Sequence, residues 1–127
     1  MKINTFDIDG VINFDQYDGL YPGYNDIIIT GRSVEESFDT LKMLRAKGIR
    51  NQVYFNPLPF SKKTRKSSGI HKGKTLKMLI DSGFEHGIHF EDDEIQIEEI
   101  LKIVKFVNIV HIKSNLVEKE NVKRTFK

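Results

Sequence analysis

The chain has 127 residues, of which 39% are hydrophobic and 30% charged, with a formal net charge of +2 and no cysteine. That length suits one sheet with helices on its faces, the lack of cysteine excludes disulfides and thiolate metal sites, and so small a net charge does not by itself demand a polyanionic partner. No apolar run reaches the roughly 20 residues of a membrane-spanning helix, and the first residues enter a strand pattern instead of a signal peptide, so the expectation is a cytoplasmic protein with no membrane partner.

Residues 2–11, Lys-Ile-Asn-Thr-Phe-Asp-Ile-Asp-Gly-Val, predict a buried strand: Ile3, Phe6 and Ile8 are apolar, Thr5 tolerates β geometry and Gly10 stops the run. Its end carries two acids, Asp7 and Asp9. Asp is a poor strand former, and burying carboxylates is costly without compensation. The pair therefore asks for a cation, or for chemistry that uses it. Asp-x-Asp-Gly alone also fits a plain turn or a calcium loop. The calcium version needs oxygen ligands at alternate positions and a closing Glu, whereas Val11 and Phe14 fill that interval and no Glu follows before Glu35.

Residues 12–24 are rich in Gly, Asp, Asn and aromatics, with a turn at Tyr21-Pro22-Gly23. Residues 26–30 predict a second strand, apolar on both faces through Ile27, Ile28 and Ile29, as central parallel strands are. Ser33 and Glu36 form a capping box for a helix that Val34, Phe38, Leu41 and Leu44 continue until Gly48. A short strand at 52–55 precedes a Pro-containing loop at 56–70. A second helix spans 72–82, with Leu76, Leu79 and Ile80 inward and Gly83 at its end. Residues 87–91 predict a fourth strand, 94–105 a third helix and 106–112 a fifth strand.

Residues 1–112 thus read as one domain without internal repeats. The tail at 113–127 alternates in charge, consistent with either an exposed helix or a disordered end. Alternating strands and helices predict an α/β fold, a three-layer Rossmann-like arrangement around a parallel sheet of about five strands joined by right-handed crossovers. Ligands of such sheets sit at the carboxyl ends of the strands. Asp7, Thr30 and Asp92 fall at those ends, from three different strands.

Four stretches in order, Asp7-Ile8-Asp9-Gly10, Thr30-Gly31-Arg32, the basic Lys72 and Lys74, and Glu91-Asp92-Asp93, resemble the motifs of the haloacid dehalogenase-like (HAD) superfamily of phosphohydrolases. The resemblance covers residues 3–112. It implies an HAD-like fold and a magnesium-dependent phosphomonoester hydrolase working through an aspartyl-phosphate. In that pattern Asp7 is the nucleophile and Asp9 the acid/base, while Asp7, Asp92 and the carbonyl of Asp9 hold magnesium. Thr30, with backbone N–H groups from Gly31 onward, holds phosphate, and Arg32 either contacts phosphate or is solvated. Lys72 lies one turn before Leu76 on the sheet-facing side, so it is preferred to Lys74 as the lysine that offsets the charge of Asp7 and phosphate. Asp93 positions Lys72 or a metal-bound water, or caps a helix together with Glu94. Glu91 has no single assignment, and His71, His86, His89 and His111 show no ligand spacing.

Two departures from the pattern stand out. Val11 occupies a place where many members have Thr, although both occur. More consequentially, the intervals that carry a cap domain in most members are too short for one here, and residues 12–24 allow only a flap. An open site suits phosphate carried on something large, such as a nucleic-acid end or a protein, or a small substrate covered by another subunit; the favoured expectation is a nucleotide or polynucleotide end. Lys62, Lys63, Arg65, Lys66, Lys72 and Lys74 concentrate basic charge in residues 60–74, which steers phosphate-rich ligands or is simply a solvated mobile loop. Tyr54, Phe55 and Phe60 are available to stack a base or to fill the core. The competing reading is a binding or regulatory domain that keeps the acids without useful turnover and binds through residues 60–74 or the tail; the presence of Asp9 favours the enzyme. Substrate and oligomeric state are not specified by the sequence.

Overall fold

Five short strands form one parallel sheet in the computed structural model, which describes residues 2–114. They are β1 (Ile3–Phe6), β2 (Ile27–Ser33), β3 (Val53–Asn56), β4 (His86–Glu91) and β5 (Asn108–His111), in the order β3-β2-β1-β4-β5. Three helices connect them, α1 (Ser37–Ala46), α2 (Arg65–Asp81) and α3 (Glu94–Ile103). The two-residue alternation of β2 sorts its isoleucines onto the two faces. Ile28 packs with Phe6, Ile8, Val11, Ile12, Leu44 and Ile49, which is the α1 side. Ile27 and Ile29 pack with Leu76, Leu79 and Ile100 of α2 and α3. The result is a three-layer, Rossmann-like α/β architecture, as the alternation of elements predicts.

The chain winds outward from β1 to β3 and then returns to place β4 on the other side of β1. The strand order reverses at β1, which opens a crevice at the carboxyl ends of β1 and β4. Asp7 and Asp92 leave the sheet there. The connection after β1 folds back on itself, with the Gly10 N–H donating to the Asn13 carbonyl at 2.9 Å and the Leu20 N–H to the Val11 carbonyl at 2.8 Å. This folded-back segment covers the residues 12–24 that the sequence reading took for a flap.

Besides β1, which ends at Phe6 instead of running on to Gly10, and small shifts at the ends of other elements, three boundaries differ from the sequence reading. First, β2 runs on to Ser33, which pairs with Asn56 across a register shift that begins after Ile29. Thr30, the expected last residue of the strand, is therefore followed within it by Gly31 and Arg32, in an irregular final stretch. The Ser33–Glu36 capping box forms as expected, but it starts a 3-10 turn, Val34–Glu36, that leads into α1.

Second, the expected loop at 56–70 is half helix. A 3-10 turn at Phe60–Lys62 is followed by α2, capped by Thr64, whose side chain accepts from the Ser67 N–H while Ser67 reciprocates. Lys72 is consequently mid-helix. The early turns of α2 pack by small residues: a Cβ on Gly69 would lie 2.8 Å from Gln96 Cα, and one on Gly73 2.8 Å from Ile103 Cδ1. Third, β5 starts only at Asn108, and Phe106 lies exposed in the turn before it.

The basic run does not form one mobile patch. Lys63 is buried against Glu36 at 3.5 Å and lies over the Phe60 ring, Arg65 pairs with Asp93, and Lys62, Lys66 and Lys74 are exposed. Tyr54 packs against the α2 and α3 side of the core. The expectation for the tail beyond residue 114 lies outside the described residues. Among those described, no helix is long and apolar enough to cross a membrane.

Candidate active site

Asp7 continues β1 by one residue, its N–H donating to the Phe90 carbonyl at 3.1 Å, and its carboxyl group is buried in the crevice. Asp92 follows β4 and turns into the same space. Gly10 makes that possible. Its φ of +84° is in the left-handed region that favours glycine, and a Cβ there would lie 1.9 Å from Asp92 Oδ2. Lys72 reaches over the sheet from α2, is fully buried, and donates to Asp7 Oδ1 at 2.9 Å and Glu91 Oε1 at 2.8 Å. Asp7, Glu91 and Asp92 each offer an oxygen within 4.8 Å of the others.

Three buried acids gathered around one ammonium cannot all keep full charge. Burial acts against the charge of Glu91, but Lys72 and His89 outweigh it and hold this carboxyl down at about 2. Burial followed by the charge of Glu91 raises Asp7 well above the ordinary carboxylate range, with Lys72 opposing. The same two causes push Asp92 up to about 7. The cluster thus lacks positive charge. Glu91 Oε2 is moreover buried without a hydrogen-bond partner. Hard oxygen donors, excess negative charge and an unsatisfied carboxylate oxygen fit a hard divalent cation such as magnesium.

Asp9 points elsewhere. Arg32 grips it with one edge of its guanidinium, Nε to Oδ2 at 2.9 Å and Nη2 to Oδ1 at 2.8 Å, and also donates from Nη1 to Thr40 Oγ1 at 3.1 Å. Arg32 is buried, which removes the solvated alternative, and its N–H donates to Thr30 Oγ1 at 3.0 Å. The side chain of Asp9 therefore stays outside the acidic cluster and Glu91 takes the third place. Asp93 neither positions Lys72 nor faces the cluster. It caps α3, accepting from the Ile95 N–H at 2.9 Å, and binds Arg65 through two bonds of 2.9 and 2.8 Å. The helix-capping alternative holds because the residue after Asp92 is already the first of a helix entry. Lys74 is exposed, away from Lys72.

Sequence reasoning missed the polar residues inside the strands. Thr5 and His89 are fully buried and face each other across β1 and β4, Thr5 Oγ1 lying 2.8 Å from His89 Nδ1, and His89 Nε2 is 3.1 Å from Glu91 Oε1. Their available signal was spacing: Thr5 precedes Asp7 by two and His89 precedes Glu91 by two, so each pair shares one face of its strand. Fold and site together define a Rossmann-like α/β protein with a lysine-bridged acidic site where its strand order reverses. No protein-family model and no curated protein matches the chain.

Proposed function

We propose that the chain is a magnesium-dependent phosphomonoester hydrolase of capless HAD-like type, acting through an aspartyl-phosphate on Asp7. The observation that carries this reading is the convergence of Asp7, Lys72, Glu91 and Asp92 from β1, α2 and β4 on one buried point. Asp7 and Asp92 would hold the magnesium ion, with Glu91 beside them. The ion would supply positive charge to offset that of the transferred phosphoryl group.

In the first half-reaction a carboxylate oxygen of Asp7 bonds to phosphorus while the bond to the leaving oxygen breaks, and that oxygen takes a proton from Asp9. In the second, Asp9 takes a proton from water as the water oxygen attacks phosphorus, which releases inorganic phosphate and restores Asp7. Lys72 holds positive charge beside Asp7 throughout. Arg32 has a further task. Its planar fork matches two phosphate oxygens as well as the two oxygens of Asp9, so an arriving phosphate would exchange with Asp9 and free it for proton transfer. Thr30 and Gly31 border that exchange.

For substrate we favour phosphate on a nucleotide or polynucleotide end, because among the described residues only the flap of residues 12–24 stands where a cap would close over the substrate. Hydrolysis of p-nitrophenyl phosphate with and without magnesium tests the class. We expect magnesium-dependent turnover that Asp7→Asn lowers at least about 1,000-fold, and activity insensitive to that change removes Asp7 as nucleophile. A panel of nucleotides, 3′- and 5′-phosphorylated oligonucleotides and sugar phosphates tests the substrate; turnover of sugar phosphates alone sinks the nucleotide reading. A second reading, a phosphate-binding or regulatory domain without useful turnover, draws on the engagement of both Asp9 oxygens by Arg32. Phosphate binding with no hydrolysis at any magnesium concentration selects it.

A further inference from the structure

The buried polar chain does not end at Lys72. Glu91 Oε1, which accepts from Lys72 at 2.8 Å, also lies 3.1 Å from His89 Nε2. His89 Nδ1 is 2.8 Å from Thr5 Oγ1, and Thr5 Oγ1 is 2.9 Å from His86 Nε2. His86 is half-buried at the amino end of β4, on the wall of a cavity of about 660 Å³ between the ends of α2 and α3. The run therefore crosses the full length of β4, from one end of the sheet to the site at the other.

Chemistry fixes the direction of each bond. An ionised carboxylate only accepts, so His89 Nε2 carries the proton that faces Glu91. In the neutral ring Nδ1 is then an acceptor, and the Thr5 hydroxyl donates to it. The Thr5 oxygen, its one proton committed, accepts from His86 Nε2–H. All donations point toward Glu91, and the hydroxyl of Thr5 is the element that allows two imidazoles to be joined in that sense.

The consequence lies at Glu91. Both of its donors converge on Oε1, while Oε2 has no hydrogen-bond partner. A carboxylate tied at one oxygen pivots about that point unless the tie itself is fixed, and His89 fixes it from inside the sheet. A lysine is a point charge on a flexible stem. With Oε1 held in place, Nζ is brought to 2.9 Å from Asp7 Oδ1.

We infer that Thr5 and His89 are positioning residues, a hydrogen-bonded strut anchored at His86 that holds Glu91 and through it aims the ammonium of Lys72 at Asp7. This rests on the reading of Asp7 as nucleophile. The strut acts on the transition state, where the charge of Lys72 is needed beside Asp7, and not on substrate capture, so its loss falls on kcat.

Kinetics of Thr5→Val, Thr5→Ser and Asp7→Asn, together with nitrogen NMR of the histidines in the wild-type protein, test the strut. Thr5→Val removes the hydroxyl at nearly constant volume and is expected to lower kcat about 10-fold or more, with KM changed less than about 2-fold. Thr5→Ser restores the hydroxyl and kcat. The NMR spectrum is expected to show both His86 and His89 protonated at Nε2. The strut is overturned if Thr5→Val turns over like wild type while Asp7→Asn is inactive, if Thr5→Val and Thr5→Ser lose kcat equally, if the loss appears in KM, or if His89 carries its proton on Nδ1. Absence of hydrolysis by the wild type, or its survival in Asp7→Asn, fails the functional reading instead. The NMR result then judges the strut alone, as it does if Thr5→Val does not fold.

Discussion

Asp92 is the residue whose ionisation the site resists in a measurable way. Its carboxyl is pushed up to about 7 by burial and then by Glu91, against 3.8 for an ordinary Asp. The folded chain therefore keeps a proton that the unfolded chain has released, and the stability linked to it is fully present below about pH 4 and lost as pH rises through about 7. Asp92→Asn mimics the protonated form at every pH. Without divalent ions the variant is expected to be more stable than wild type at pH 8, by up to a few kcal/mol, and the advantage should vanish toward pH 4. Thermal unfolding of both proteins in chelator across that range measures it, and a gap independent of pH refutes the assignment. Gly10 offers a neighbouring test. Gly10→Ala adds strain at φ +84° and a Cβ that would meet Asp92 Oδ2 at 1.9 Å. Magnesium affinity by calorimetry should fall about 10-fold or more, as for other changes beside a ligand. Asp7, Lys72 and Asp92 were legible one at a time because strand ends and a sheet-facing helix position are local properties. The role of Glu91 was not, because it depends on His89 and Lys72, and the partnership of Arg32 with Asp9 joins two strands whose contact no local pattern encodes.

At the scale of elements, α2 shows where hydrophobic periodicity stops informing. Leu76 and Leu79 announce its second half, but the first half meets α3 through Gly69 and Gly73 and turns Ser68 and Lys72 toward the sheet, none of which reads as an apolar stripe. Its start is a Thr64–Ser67 box, without the Glu or Gln that marks the commoner form. The two glycines are one helical turn apart and let the axes approach closely. In an ordinary helix Gly→Ala stabilises by roughly 0.5–1 kcal/mol. Gly69→Ala should instead destabilise, because its Cβ would sit 2.8 Å from both Gln96 Cα and Glu99 Cβ, and backbone cannot move aside without shifting α3. Overpacking of this kind costs about 1–3 kcal/mol. Urea unfolding decides the sign, and a stabilised variant means that the helices do not meet as described. Arg65 belongs to the same seam. It looked like part of a phosphate-steering run but donates two hydrogen bonds to Asp93 at the entry of α3, so Arg65→Ala should act on unfolding midpoint more than on activity.

The whole molecule sets the acidic site against a group of partly or fully buried bases. The alternation of strands and helices made the parallel α/β sheet legible, since only a crossover connects parallel neighbours. Strand order, and with it the meeting of Asp7 and Asp92, follows from long-range packing that no window of sequence contains. The same packing buries His89 and half-buries His71 and His86. Burial lowers His71 and His86 to about 4 and also lowers His89. For these bases the folded chain refuses protons that the unfolded chain accepts below about 6.5, so their contribution to stability is present above that pH and lost as pH falls through about 4. The acidic site works in the opposite sense over an overlapping window, as Asp92 and Asp7 take up protons that favour the folded state. The magnesium of the proposed function would change the balance, because a cation held by ionised carboxylates adds stability that competing protons remove. In chelator the two tendencies oppose each other and the melting temperature should decline only gently between pH 7 and 4. In saturating magnesium it should start higher at pH 8 and fall more steeply, since protons now both charge the histidines of the unfolded chain and expel the ion from the folded one, until the two curves meet near pH 4. Parallel curves across the range would mean that magnesium binds away from Asp7, Glu91 and Asp92.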